Sequence, residues 1–469
     1  MSANFYELLK YAATGIASPD MTAYDKMRAL AIAEGRPSHG IRFGFKIDKS
    51  ESDPLKAVIY THDAVTMTPA YMDYENDIFS YGSWDNVWFI KNSYPVALNL
   101  DGTEEYRLDP NDYTKKSDGT SSDIQYVLQT EEPSNWSTQW KQYYTKNGDD
   151  YIKNHQSSAP TWTEDTFYTL TSTFDGNFMM AFPKIYFKRY EDSSYNYVEV
   201  SDRKLNSSFK AYAHTNELGD EVDYIYLPLF KGCVIDNKLR SLPGKIPSGN
   251  TTATDDLNAA TALGTGWYFW DHSSREMICD LLTLIGRSID SQVTFGRGQD
   301  SGYDSSDTVT YGKLPTGTLI KKGLFYGSNV VTNEVKVFGM EGFWGNRWDR
   351  ILGLILADGV WKVKMTPPYN LTGSSFNTLD LATYPVPIFN NYLKRVTTSE
   401  YGSLSAEVGN GATASTYFSD YFYQNQSGTR VAIYGGSCGS GRSAGFRCVR
   451  VDFAASNSHW GFGASPIYK

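Results

Sequence analysis

The chain has 469 residues and a formal net charge of −10, long enough for several domains or one large decorated one. That acidic balance argues against nucleic acid as a partner, because phosphate binding needs a basic footprint. No apolar run approaches the roughly 18 residues of a membrane span, and the start, Met1-Ser-Ala-Asn-Phe-Tyr-Glu, has no basic and apolar blocks of a signal peptide, so neither membrane insertion nor secretion is expected.

Residues 1–40 read as a helical attachment or oligomerisation segment. Phe5, Leu8, Leu9 and Ala12 fall on one helical face, Ser18-Pro19-Asp20 marks a second helix start, and Met21, Tyr24, Met27 and Leu30 continue the stripe. Two such short helices cannot bury themselves and would dock on a partner subunit or the next domain. Residues 41–124 read as the first part of a β-rich region. Strands are expected at 41–47, 57–60, 86–90 and 94–98, with a loop over 108–119 built from Asp, Pro, Asn and Gly.

Residues 125–170 differ in texture. They are dense in Trp and Tyr and poor in aliphatics, which marks a small inserted module with an aromatic core. The main domain resumes over 171–469. Strands are expected within 178–189 and 223–233. A helix is expected over 273–286, with Met277, Leu281, Leu282 and Ile285 on its apolar face and Gly286 as its cap. Residues 296–302 read as a flexible loop and 338–350 as a tight turn around Trp side chains. Further strands fall at 360–365, 432–435, 446–452 and 460–463.

Motifs for catalysis are missing. The six His include no HExxH pair, no GxSxG elbow occurs, and Gly296-Arg-Gly is not a phosphate loop. Asp271, Glu276 and Asp280 contain spacings that a glycosidase pair would use, but 53 acidic residues produce such spacings by chance. Glu217, Asp220, Glu221 and Asp223 match no known Ca²⁺ loop. No CxxC is present, and Cys233, Cys279, Cys438 and Cys448 read as buried free thiols. No cofactor or metal is expected. The 35 Tyr suit either a contact surface or a β core with half-buried rings.

The last 36 residues stand apart. Small and apolar residues form a frame, and Ser, Arg, Asn and His side chains are set into it. Between 421 and 469 there is one acid, Asp452, against Arg430, Arg442, Arg447, Arg450 and Lys469. A locally basic face of that kind would attract an anionic ligand such as a charged surface glycan, unless those cations pair with carboxylates elsewhere in the chain.

Four motifs occur in a fixed order: Phe182-Pro-Lys-Ile-Tyr-Phe-Lys; Leu282-Thr-Leu-Ile-Gly286; Gly342-Phe-Trp-Gly-Asn-Arg-Trp; and the terminal Gly-Gly-Ser-Cys, Gly-Phe-Arg-Cys, Ser-Asn-Ser-His-Trp and Gly-Ala-Ser. Together they resemble phage tail-fibre and receptor-binding proteins with a C-type lectin fold, in particular the variable proteins of diversity-generating retroelements that include the major tropism determinant. The resemblance covers roughly residues 40–469 apart from the insertion. It implies an α+β, C-type lectin-like fold with a β-rich core, short N-terminal helices and a small aromatic-rich insertion.

It further implies a non-enzymatic virion surface protein, made in the bacterial host cytoplasm, that binds a bacterial receptor (protein or glycan). Its partners would be other virion proteins and further copies of itself, as a trimer. The ligand-binding residues carried over are Tyr434, Ser437, Gly439, Ser440, Arg442, Ser443, Arg447, Arg450, Asn457, His459 and Gly461. Gly435, Gly436, Gly445, Trp460, Gly463 and Ala464 would be frame. Calcium-lectin sugar motifs are missing. A structural head, neck or tail decoration protein is the alternative. A formylglycine-generating type of oxidase shares the fold, but its thiols lie closer in sequence than Cys438 and Cys448.

Overall fold

The computed structural model describes residues 41–128, 144–147, 150–153 and 168–469, together with Lys26. The helical segment expected over residues 1–40 and most of the aromatic-rich module fall outside these residues. At the base of that module, strand Ile124–Leu128 pairs antiparallel with Tyr168–Ser172, and Tyr144–Asn147 pairs with Asp150–Lys153.

The architecture is β-rich. A four-stranded antiparallel sheet contains Arg42–Asp48, Val58–His62, Tyr186–Glu191 and Tyr195–Ser201. A seven-stranded sheet is centred on Asn177–Pro183, flanked by Tyr94–Leu98 and Tyr224–Pro228. It also takes in the chain's final strand, Pro466–Tyr468, between Trp267–Phe269 and Tyr224–Pro228. The third and largest sheet is built on Trp348–Ala357 and includes Thr429–Tyr434, Val449–Val451, Tyr421–Gln424, Asn391–Ser399 and Gly402–Val408.

Helix His272–Gly286 lies between these layers, and every one of its residues is buried. Asp271 caps its start by accepting from the Ser274 N–H at 2.8 Å. The expected cap at Gly286 is corrected. Gly286 is the last helical residue, and Arg287 takes the left-handed conformation at φ 49°. The apolar face predicted from Met277, Leu281, Leu282 and Ile285 joins the main core.

Two other expectations are revised. Residues 86–90 do not form a strand: Trp88–Lys91 is a single helical turn. Three consecutive bulky side chains, Trp88, Phe89 and Ile90, are all buried there, which an alternating strand with one solvated face cannot achieve. Trp88 stacks on Phe43 with ring centroids 5.7 Å apart. Residues 108–119 are not a plain loop either. Glu104–Asp109 and Asp112–Lys116 pair as a hairpin, and the Asp and Asn residues only turn it.

Candidate functional site

The terminal segment runs through the largest sheet, and strand alternation sorts its side chains. Phe422, Ala432, Tyr434, Val449 and Val451 point into the main core. Ile433 and Cys448 point the other way. There they join Trp348 and Phe462 in a smaller cluster, on which Tyr421, Tyr423 and Phe453 lie half-buried. Register sets Arg450 opposite Ile433 on one side and Tyr423 on the other.

Arg450 therefore stands in an aromatic setting. Its guanidinium carbon lies 4.4 Å from the Tyr423 ring centroid, 4.8 Å from Phe453 and 5.4 Å from Trp348. Asp452 pairs with it at 2.7 Å. Tyr421 touches Tyr423 at 4.5 Å and Tyr392 at 5.0 Å between ring centroids. The sequence 421–423, Tyr-Phe-Tyr, carries the signal for this row: its period of two places both Tyr outward and Phe422 inward. That signal was missed in the sequence reading.

A second aromatic group adjoins through residues 459–462. Trp460 stacks on Tyr303 at 4.6 Å and on Tyr311 at 5.6 Å. His459 packs on Trp460 at 5.2 Å and on Phe462 at 4.7 Å. Partial burial and the nearby Arg450 charge hold the His459 imidazole below its ordinary range. The stretch 296–302, read as flexible from its glycines, leads directly into Tyr303. It is tied down instead. Asp300 is buried and pairs with Arg297, Tyr303 N–H donates to Cys438 O at 3.0 Å, and Gly441 N–H donates to Asp300 O at 2.8 Å. Beneath it, Lys313 donates to Pro247 O at 2.9 Å and to Trp460 O at 3.2 Å, and burial pushes its amine down to about 8.

The structure divides the eleven residues carried over as a contact surface. Gly439, Arg442, Asn457 and His459 are exposed, and Ser440 and Arg450 are half-buried. Tyr434, Ser437, Ser443, Arg447 and Gly461 are buried, so an outward placement of these five is corrected. Each has a physical reason. Tyr434 sits at an inward position of its strand. Ser437 and Ser443 close the short turn around Ser440 through Ser437 N–H to Ser440 Oγ and Ser443 Oγ–H to Ser440 O. Gly461 lies backbone-on against Trp348, whose N–H donates to its carbonyl at 2.8 Å.

Arg447 turns inward to the buried helix, 3.2 Å from Glu276 and 2.6 Å from Asp280. Asn457 is exposed but caps its own turn, accepting from Ala454 N–H at 2.7 Å. Of the residues read as frame, Gly435, Gly436, Gly445, Gly463 and Ala464 are buried and Trp460 is half-buried.

The expected basic character of the face is corrected by the same network. Arg447 is neutralised by Glu276 and Asp280, Arg450 by Asp452, and Lys469 by Asp271 at 2.6 Å. Arg442, on the short turn Gly441–Ser443, is exposed, and Arg430 is half-buried and donates to Ser427 O. The face that remains is aromatic with limited net charge.

The carboxylates considered for sugar hydrolysis are spent in that interior: Asp271, Glu276 and Asp280 are fully buried and ion-paired. All four cysteines are free and buried. Burial pushes the Cys438 thiol up to about 11, and Cys448 lies in the cluster of Trp348, Ile433 and Phe462. Among the described residues no group of His, Cys, Asp and Glu is arranged to hold a metal ion.

No family model and no curated protein matches the chain. Solved structures that align with it distantly include two variants of one protein. The Major Tropism Determinant U1 variant covers 70% of this chain and 70% of its own, at 12% identity and a TM-score of 0.23. The Major Tropism Determinant P3c variant covers 69% of this chain and 70% of its own, at 11% identity and a TM-score of 0.23. Likeness at that level transfers neither fold nor role.

Proposed function

We propose that this chain is a phage virion surface protein that grips a structure on the bacterial host through the outer face of its largest sheet. The observation that carries this reading is the aromatic row itself. Tyr423 and Phe453 flank Arg450, Tyr421 and Tyr392 continue the row from Tyr423, and Tyr303, Trp460 and His459 extend it through Phe462. Tyr, Trp and Arg supply large contact area at low entropic cost and dominate binding hot spots. Strand pairing fixes the backbone of Tyr392, Tyr421 and Tyr423, and Lys313 holds the Trp460 carbonyl, so little ordering cost remains for binding.

The motif order in the sequence supports the same role, with a C-type lectin-like scaffold and retroelement diversification of the exposed terminal positions. In this reading residues 1–40 attach or trimerise the protein, residues 125–170 are a separate inserted module, and repeated copies on the virion raise a weak single-site affinity by avidity.

Adsorption of the purified protein to host cells tests this. Tyr421→Ala, Tyr423→Ala and Trp460→Ala should each reduce binding while near-ultraviolet circular dichroism keeps its native form. Undiminished binding by all three sinks the assigned face. Diversification is tested in the neighbouring DNA, which should hold a reverse transcriptase gene and an imperfect repeat of codons 430–469.

A further inference from the structure

We propose that Lys231 and Asp349 become joined by an intramolecular isopeptide bond, which the chain forms by itself with Glu334 as the proton-carrying acid. Lys231 Nζ lies 2.7 Å from Asp349 Oδ2, with side chains only 4% and 3% exposed. The lysine also donates to Arg347 O at 2.8 Å, which fixes its amine beside the carboxyl. Asp349 Oδ1 accepts from Ser465 Oγ at 2.7 Å and faces Arg347 Nη2 at 3.6 Å. These contacts orient the carboxyl and polarise it.

The third member is Glu334. Its Oε1 accepts from Asn346 Nδ2, while its Oε2 is buried without a hydrogen-bond partner. Gly342 stands between this carboxyl and the lysine stem. A Cβ there would lie 2.8 Å from Lys231 Cε and 3.1 Å from Glu334 Oε2, so the two approach one another across a residue without a side chain. Phe230, Trp270, Met340 and Phe343 line an adjoining cavity of about 10 Å³, close to the smallest space that holds one water.

Burial works against the charged form of each of the three groups. Burial pushes the Lys231 amine down and the Glu334 carboxyl up to about 7. Burial also opposes the charged form of Asp349, although Lys231 and Arg347 together hold its carboxyl low. The resting state is therefore the ion pair, and reaction begins with proton transfer from Lys231 Nζ to Asp349 along their hydrogen bond.

The free amine then adds to Asp349 Cγ. A C–N bond forms and the Cγ–OH bond breaks; Glu334, beyond ion-pair distance of Lys231 Nζ in the resting pair, turns its unpartnered Oε2 across Gly342 to donate a proton to the departing oxygen and regain one from nitrogen. The products are one amide and one water, with no oxidant or reductant consumed. The bond would close a loop across 118 residues of sequence and tie the Phe230–Gly232 segment to the central strand of the largest sheet. A covalent cross-link over that span restricts the unfolded chain as a disulfide does, in a protein whose described cysteines are all free.

Intact-mass spectrometry of the full-length chain, held at neutral pH and then denatured, tests the proposal. The expected mass is one water below that of the sequence, with a branched peptide containing Lys231 and Asp349 after digestion. Glu334→Gln, which keeps the Asn346 contact, should restore the full sequence mass, as should Lys231→Arg. A wild-type chain at full sequence mass overturns the proposal, and this result does not depend on any variant folding. A cross-link mapped to Lys469 and Asp271, or water loss that persists in Glu334→Gln, overturns it as well.

Discussion

Arg447 donates from Nη2 to Asp280 Oδ1 at 2.6 Å, with both side chains almost wholly out of water. Asp280 is shared: Arg189, from strand Tyr186–Glu191, reaches its other oxygen at 2.6 Å. The four-stranded sheet, the buried helix and the terminal segment thus meet at one carboxylate. Removing Arg447 leaves Glu276 without its cation in the interior and Asp280 with Arg189 alone. Arg447→Ala should cost about 3–5 kcal/mol of stability, read as a shift in the denaturant midpoint. Arg442→Ala, on the exposed turn, should change stability by less than about 0.5 kcal/mol.

Gly436 holds the terminal turn in place through its lack of a side chain. Its φ is +87°, and a Cβ would lie 2.6 Å from Ala444 Cβ. Gly436→Ala combines left-handed strain with overpacking and should destabilise by about 2–4 kcal/mol. Thermal unfolding checks this, and an unchanged Tm would mean that the turn can move away from Ala444.

Asp420 lies buried under the same turn and accepts from Arg447 N–H at 2.8 Å. Burial raises its carboxyl well above the ordinary range, and Asp290 adds to the rise. The folded state therefore holds this proton more tightly than the unfolded chain. Stability from Asp420 is greatest below the ordinary aspartate range and falls as pH rises through the elevated folded value. Asp420→Asn should flatten the decline of stability with pH above 4, measured by urea unfolding at a series of pH values. An identical slope in the variant would exclude Asp420 as its source.

Tyr423 contributes surface contact more than core. It is half-buried over Arg450, and Asp452 still pairs with that arginine when the ring is gone. Tyr423→Ala should lower stability by only about 1 kcal/mol yet reduce adsorption to host cells several-fold. A large fall in Tm with parallel loss of binding would instead assign the residue to the fold.

Much of this molecule is local in origin and legible in order along the chain. Helix His272–Gly286 follows from its apolar spacing, and the strands around Tyr94–Leu98, Asn177–Pro183 and Thr429–Tyr434 follow from short apolar runs between turns. The frame glycines of the terminal segment are visible too, because small residues recur there between the polar side chains. Direction was harder to read. Arg447 and Arg450 look alike three residues apart, yet one enters the core and the other lies on the sheet's outer face.

That difference depends on which carboxylates arrive from residues 276–280, and those are about 170 positions away in sequence. The aromatic row has the same character, since Tyr303 and Tyr311 join Trp460 only through the packing of a distant loop. Sequence alone determined composition, periodicity and the frame, because these rest on propensity and spacing. Tertiary structure decided which side chains meet water, because burial and charge pairing are settled between segments that only the fold brings together.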